Sequence, residues 1–258
     1  MNCVYQVCVG PQSQLYRWCT ESVQAYCKKI GADYVVQTEP RLRITPDPET
    51  TGRSKQAVSR LGYLPIFEKE NAFELLHDYD AVAVIDADVF VRTSAPSIFD
   101  ALEGDFAAVR ERDSPVTEKY KAKLRKYSDQ QYGNLPDVEW NWNDDGADFM
   151  NMGIMVMAKS ILPYLRGQTP KEFIRRPEFK GFVDGLGKWK WSTDQTLLNW
   201  WVRESGMKVQ GLDWRFNALF NAVLEERLPE AWFTHFFLRD HLPNKGEDTK
   251  ELERHVIV

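Results

Sequence analysis

From Ala81 to Val91 the chain is apolar at every position except Asp86 and Asp88. The unbroken run Ala81-Val82-Ala83-Val84-Ile85 has the pattern of a strand buried on both faces, as at the centre of a parallel sheet. Two carboxylates at its carboxyl end are a problem for any fold built on it. In an extended chain residues two apart share a face. Partly withdrawn from water, the two charges repel and each loses hydration. The pair persists if one carboxylate is protonated or a cation sits between them, and a hard divalent ion with oxygen ligands fits the second case. The bland alternative is that one aspartate caps the next element and the other faces solvent. A second Asp-x-Asp, Asp78 and Asp80, precedes the run and reads as a solvated turn.

The flanking pattern supplies the sheet. Val4 to Gly10 reads as a buried strand, Gln14 to Ile30 as a helix ended by Gly31, and Asp33 to Gln37 as a second strand. Pro40 to Ser54 lacks periodicity and reads as a loop. Apolar residues recur at helical spacing from Gln56 to His77, with Pro65 opening or kinking a helix. Alternating strands and helices predict an α/β layer with right-handed crossovers. Further on, Asp105 to Arg110 and Met150 to Ala158 read as strands, and Ser114 to Pro136 as helix plus loop. Ser192 to Glu204 reads as a helix with a Ser192-x-x-Gln195 capping box and Gly206 at its end. Val209 to Trp214 and Trp232 to Phe237 read as late strands, and the charged tail from Lys245 carries a short last helix.

At about 150 residues per domain, 258 residues make one large domain or two small ones. No linker, repeat or low-complexity segment divides them, so a single domain over 1–258 is expected, with a first half near 1–110 and a second near 111–258. The net charge of −5 argues against nucleic acid as a partner. No apolar stretch approaches the ~20 residues of a membrane helix. No signal peptide is visible. Cys3, Cys8, Cys19 and Cys27 show no metal spacing and read as reduced thiols, so a cytoplasmic location is expected. Nine Trp, ten Tyr and fourteen Phe exceed what a core needs, which suggests aromatics at a ligand site.

The segment Tyr79 to Val91 resembles the strand and D-x-D motif of GT-A glycosyltransferases, nearest the glycogenin and family 8 galactosyltransferase group. Ser97-Ile98-Phe99-Asp100 resembles the segment that follows. Asn151-Met152-Gly153 resembles the Asn-Ala-Gly strand, with Met152 in place of Ala. Thr193-Asp194-Gln195 resembles the Asp-Gln helix, Trp214-Arg215-Phe216-Asn217 a late strand and turn, and His235-Phe236 the late histidine. The pieces keep their order over nearly the whole chain. The resemblance implies a GT-A, Rossmann-like fold with a mixed, mostly parallel sheet. It implies a UDP-linked or other nucleotide-sugar donor, a glycan or glycoconjugate acceptor, and Mn²⁺ or Mg²⁺ on the D-x-D.

On that basis Asp86, Asp88 and His235 are the expected metal ligands, with His241 as competitor for the third place. Gly10, Tyr16, Ala87, Asn151 and Gln195 are expected around the donor. Lys245 is the candidate diphosphate contact, at a longer spacing from His235 than the family pattern. Arg53, Lys55 and Arg60 are further basic candidates. Asp194 is expected to accept hydrogen bonds from donor-sugar hydroxyls, its bland reading being a helix-dipole partner. Asp148, or Asp145, is the candidate base for an acceptor hydroxyl in an acidic loop flanked by Trp140 and Trp142. Trp189 and Trp191 are acceptor-groove candidates, while Trp200 and Trp201 read as core. Two rival functions remain open. Haloacid-dehalogenase phosphatases also place D-x-D after four apolar residues, with the first aspartate, here Asp86, as nucleophile; but Val89-Phe90 follows here and the later motifs are missing. The other rival is a non-catalytic carbohydrate-binding protein.

Overall fold

The computed structural model describes residues 1–10, 13–47, 61–135, 137–187, 189 and 194–256. Arg53, Lys55, Arg60, Trp191, Ser192 and Thr193 lie outside the described residues, as does much of the expected loop at 40–54 and the start of the helical segment at 56–77.

Six strands form the main sheet: β1 (Asn2–Val7), β2 (Asp33–Gln37), β3 (Ala81–Ile85), β5 (Phe106–Arg110), β8 (Met150–Ala158) and β9 (Val209–Leu212). Their order is β2-β1-β3-β8-β5-β9. β1 runs parallel to β2 and β3, and β5 parallel to β9, while β8 is antiparallel to both its neighbours. The sheet is thus mixed and mostly parallel, as expected.

The apolar run at 81–85 follows from this position. All five residues of β3 are buried. Val82 and Val84 join one core with Tyr5, Phe73 and Trp201, while Ala81, Ala83 and Ile85 join the core on the other face with Val23 and Phe233. Each fully buried Val or Ile side chain contributes about 1.5–3 kcal/mol relative to exposure. The helix Gln14–Ile30 covers one face, burying Leu15, Cys19, Val23, Tyr26 and Cys27. The Ser13 side chain accepts from Tyr16 N at its start, and Gly31 closes it at φ +69°. All four cysteines are buried, and none forms a disulfide among the described residues. No helix among the described residues is long and apolar enough to cross a membrane.

Two local departures matter for the site. The apolar run does not continue as one strand to Val91. β3 ends at Ile85, a turn closes from Asp86 O to Val89 N, and β4 (Val89–Val91) enters a second sheet. That sheet has the order β10-β11-β4, from β10 (Ala218–Leu219) and β11 (Phe233–His235). The second departure is in β8. Ala108 pairs with Met155 but Val109 pairs with Asn151, so the register jumps and residues 152–154 bulge toward the end of β3.

Candidate active site

The aspartate pair reaches one site through this turn rather than through a shared strand face. Asp86 N donates to Gly153 O at 2.8 Å, extending the β3–β8 ladder by one residue. β11 pairs antiparallel to β4 with His235 opposite Val89, and Phe236 N donates to Asp88 O at 2.9 Å. The imidazole is thereby delivered beside the turn. His235 Nε2 lies 3.3 Å from Asp88 Oδ1 and 3.9 Å from Asp86 Oδ2. The three side chains each offer a ligand atom, all within 4.8 Å of one another. Two carboxylate oxygens and one imidazole nitrogen make a donor set that could hold a divalent metal ion.

The sequence reading missed a second cation. Lys69, on the 3₁₀ helix Pro65–Asn71, is buried with its ammonium 2.6 Å from Asp194 Oδ2 and 3.2 Å from Asp86 Oδ1. It also donates to Met152 O at 3.0 Å. The charge of Asp86 is therefore balanced partly from within the chain. Burial lowers the ammonium's pKa, but Asp194 and Asp86 more than offset this and hold it above its ordinary value. Burial pushes Asp86 upward, Lys69 opposes this and Asp88 adds to it, so the net shift is upward. Asp88 is half-buried, and its lost hydration works the same way, but the adjacent His235 brings it below its ordinary value. His235 is raised: burial works against its charged form, and Asp88 and then Asp86 outweigh that.

The Lys69 helix is held by its neighbours. Glu68 accepts from the backbone N–H of Arg41, Leu42 and Arg43 and from Gln37 Nε2, at 2.7–3.0 Å. Burial raises that carboxyl, but the backbone bonds more than compensate and bring it below its ordinary value. Asn71 Nδ2 donates to Gln37 Oε1 at 2.9 Å.

A cavity of about 230 Å³ opens beside the carboxylates, lined by Val7, Cys8, Val9, Tyr16, Pro65, Ile66, Lys69, Asp86, Ala87 and Asp88. It lies at the carboxyl ends of β1 and β3, where open α/β sheets take ligands. A larger cavity of about 550 Å³, between Ile44–Asp47 and residues 174–184, has no such convergence of carboxylates and imidazole. Arg239 sits over the Tyr16 ring at 5.4 Å. Burial and then Asp88 raise the Tyr16 phenol, and Arg239 opposes them.

Of the expected residues, Asp86, Ala87, Asp88, Tyr16, His235 and Asp194 meet here. Asp194 opens the helix Asp194–Glu204 and faces Lys69. Gln195 Oε1 accepts from Met152 N at 3.3 Å. Asn151 is buried and bonded to Glu111, Asn217 and the Gly153 amide. Gly10 stands just beyond the cavity, exposed at φ +103°. Elsewhere, Asp148 is tied to Arg203 at 3.0 Å and to Asn141 N, and Asp145 faces Arg125. Lys245 is 73% exposed and 3.5 Å from Asp240. His241 is exposed. Trp201 is core, as expected.

No protein-family model and no curated protein matches the chain. Solved structures do match. One is the galactosyltransferase LgtC in complex with donor and acceptor sugar analogs, at 14% identity over 99% of this chain and 95% of that one, with a TM-score of 0.54. An active-site mutant of LgtC matches at 16% identity over 100% and 97%, also at 0.54. Mouse xyloside xylosyltransferase 1 matches at 12% identity over 94% and 100%, at 0.48. The likeness to LgtC is one of fold, the GT-A glycosyltransferase architecture.

Proposed function

We propose that this chain is a divalent-metal-dependent glycosyltransferase that moves a sugar from a nucleoside-diphosphate sugar, UDP-linked, to an acceptor hydroxyl of a glycan. The observation that carries the reading is the convergence of Asp86, Asp88 and His235 within 4.8 Å, at the edge of a cavity in a fold shared with LgtC. That LgtC was solved with donor and acceptor sugar analogs supports the same partners here.

Asp86, Asp88 and His235 Nε2 would hold the ion. When bound, a divalent cation supplies Lewis-acid neutralisation of the charge that develops on a diphosphate leaving group. The rest is done by the chain. Tyr16, Cys8, Val9 and Pro65 wall the nucleotide side of the cavity. Arg239, beside Tyr16, is a nearer basic partner for phosphate than the exposed Lys245. The Lys69–Asp194 pair orients donor-sugar hydroxyls: Asp194 accepts, and Lys69 holds its carboxylate in place. Asp194 rather than Asp148 is the carboxylate offered to the reacting sugar, because Lys69, which lines the cavity, joins Asp194 to Asp86, whereas Asp148 pairs with Arg203 and the Asn141 amide. The first half, near 1–110, carries the nucleotide; the second contributes Asp194 and His235. No observation favours the phosphatase reading, in which Asp86 would have to attack as a nucleophile: Asp86 is already engaged by Lys69.

The test is a thermal-shift panel of nucleoside diphosphates and nucleotide sugars with and without MnCl₂. UDP should stabilise the protein only with Mn²⁺, and Asp86→Ala should abolish the shift. No stabilisation by any nucleoside diphosphate in the presence of Mn²⁺ would overturn the proposal.

A further inference from the structure

We infer that Asn151 and Asn217 form a hydrogen-bond relay from the Gly153 backbone amide to His235, fixing the imidazole proton on Nδ1 and leaving the Nε2 lone pair facing Asp86 and Asp88. This deepens the cation reading above and rests on it.

The argument starts from a group with no ambiguity. A backbone N–H can only donate. Gly153 N lies 2.9 Å from the Asn151 amide, so the atom facing it is Oδ1. That oxygen is also 2.9 Å from Asn217, which must present its Nδ2 there. Asn217 Oδ1 then faces His235 Nδ1 at 3.0 Å. An oxygen acceptor at that distance requires the ring proton on Nδ1, and a neutral imidazole then has a bare Nε2. Turning Asn151 over would set its Nδ2 against the Gly153 N–H, donor against donor, and turning Asn217 over would set its Oδ1 against Asn151 Oδ1, acceptor against acceptor. The orientation of Asn151 has independent support: its Nδ2 donates to Glu111 Oε1 at 2.7 Å, and Tyr120 donates to the other Glu111 oxygen at 3.0 Å. Asn151, Asn217 and His235 are all buried, so water competes little.

The relay opposes a specific alternative. Asp88 lies 3.3 Å from Nε2 and would favour the tautomer with its proton there. That tautomer has no lone pair to give a cation. Gly153 has a second part in this, because a Cβ on it would sit 2.3 Å from His235 Cε1. One residue therefore leaves room for the ring and starts the relay that orients its protons. Asn217 is a positioning residue, acting through His235.

The first test uses ¹⁵N-histidine-labelled wild-type protein free of metal and nucleotide, with ring signals of His235 assigned from His235→Gln. From about pH 6 to about pH 9 Nδ1 should keep an N–H-type shift while Nε2 becomes bare. A neutral ring protonated at Nε2 overturns the inference. The second test is calorimetric titration with MnCl₂. Asn217→Leu should weaken binding about 10–100-fold, and in the same variant the neutral ring should carry its proton on Nε2, beside Asp88. A ring that keeps its proton on Nδ1 in Asn217→Leu, or unweakened binding by that variant, overturns the inference, as does a parent that binds no Mn²⁺. Neither test involves a sugar. A parent that binds Mn²⁺ but transfers nothing would sink the proposed reaction and leave the relay standing.

Discussion

The Lys69 ammonium lies 2.6 Å from the Asp194 carboxylate, although 125 positions separate the two in the chain. Through the same nitrogen it reaches Asp86, joining the D-x-D turn to the start of the helix Asp194–Glu204. One buried cation thus sets the spacing between the carboxylate of the turn and the carboxylate at the start of the helix.

Removing that cation should be costly. Lys69→Met leaves Asp194 buried without its ammonium and the half-buried Asp86 with His235 alone beside it, and losing one member of a buried ion pair costs about 3–5 kcal/mol. Urea denaturation at pH 7 should read this loss. The deficit should shrink toward acid pH, as Asp86, already raised by burial and by Asp88, takes up a proton. A deficit that does not change with pH would mean the lysine acts by packing alone.

Gly153→Ala places a methyl 2.3 Å from His235 Cε1. Gly153 is not at positive φ, so the backbone itself tolerates alanine. The imidazole must move, and Mn²⁺ affinity should fall at least about tenfold with far-UV circular dichroism unchanged. Unaltered Mn²⁺ binding would show that the ring does not need this seat.

Mn²⁺ binding should tighten as pH rises. His235 is held above its ordinary value of 6.5, with Asp88 and Asp86 outweighing the effect of burial. In the metal-free protein its Nε2 proton must leave before the nitrogen can ligate, so protons compete with the ion below the raised value. The binding constant should rise by about tenfold per pH unit across that range and level off above it. The slope should be absent in His235→Gln. Retention of the slope in that variant would assign it to another group.

Glu70 is fully buried, and neither carboxylate oxygen has a hydrogen-bond partner among the described residues. Burial, and then Asp194, push its pKa well above the ordinary 4.5, which favours the neutral carboxyl in the folded chain. A carboxyl raised in the folded state contributes stability that is complete below the unfolded value and is lost as pH rises through the folded one. Glu70→Gln removes that titration. Its melting temperature should match the parent's near pH 4.5 and exceed it increasingly on the alkaline side. Parallel curves for the two proteins would mean Glu70 does not titrate within the range.

Local pattern carried much of this. Strands β1, β2, β3, β5 and β8, the helix capped by Ser13 and Gly31, and the position of the aspartate pair follow from hydrophobic period and end signals within a few residues. The extended reading of Asp86 and Asp88 was wrong in geometry. The turn that replaces it depends on β4 finding a second sheet, and pairing partners are not written in a strand's own residues. Asp148 is a similar case. Its place in an acidic loop suggested a free carboxylate, and only the fold brings Arg203 against it.

The sequence by itself determined that two carboxylates would end a buried strand, and that His235 and Asp194 were candidates to join them. The tertiary structure alone decided which charges meet. Lys69 sits in a segment with no motif, Glu111 is an ordinary polar residue in the chain, and the segment Trp214 to Asn217 says nothing by itself of what Asn217 bonds. Lys69 becomes a counter-ion, and Asn217 and Glu111 hydrogen-bond partners, because burial removes water as a competitor and the fold sets particular groups within reach: Asp86 and Asp194 for Lys69, Asn151 and His235 for Asn217, Asn151 and Tyr120 for Glu111. Those distances arise from contacts between residues far apart in sequence, which no local period encodes.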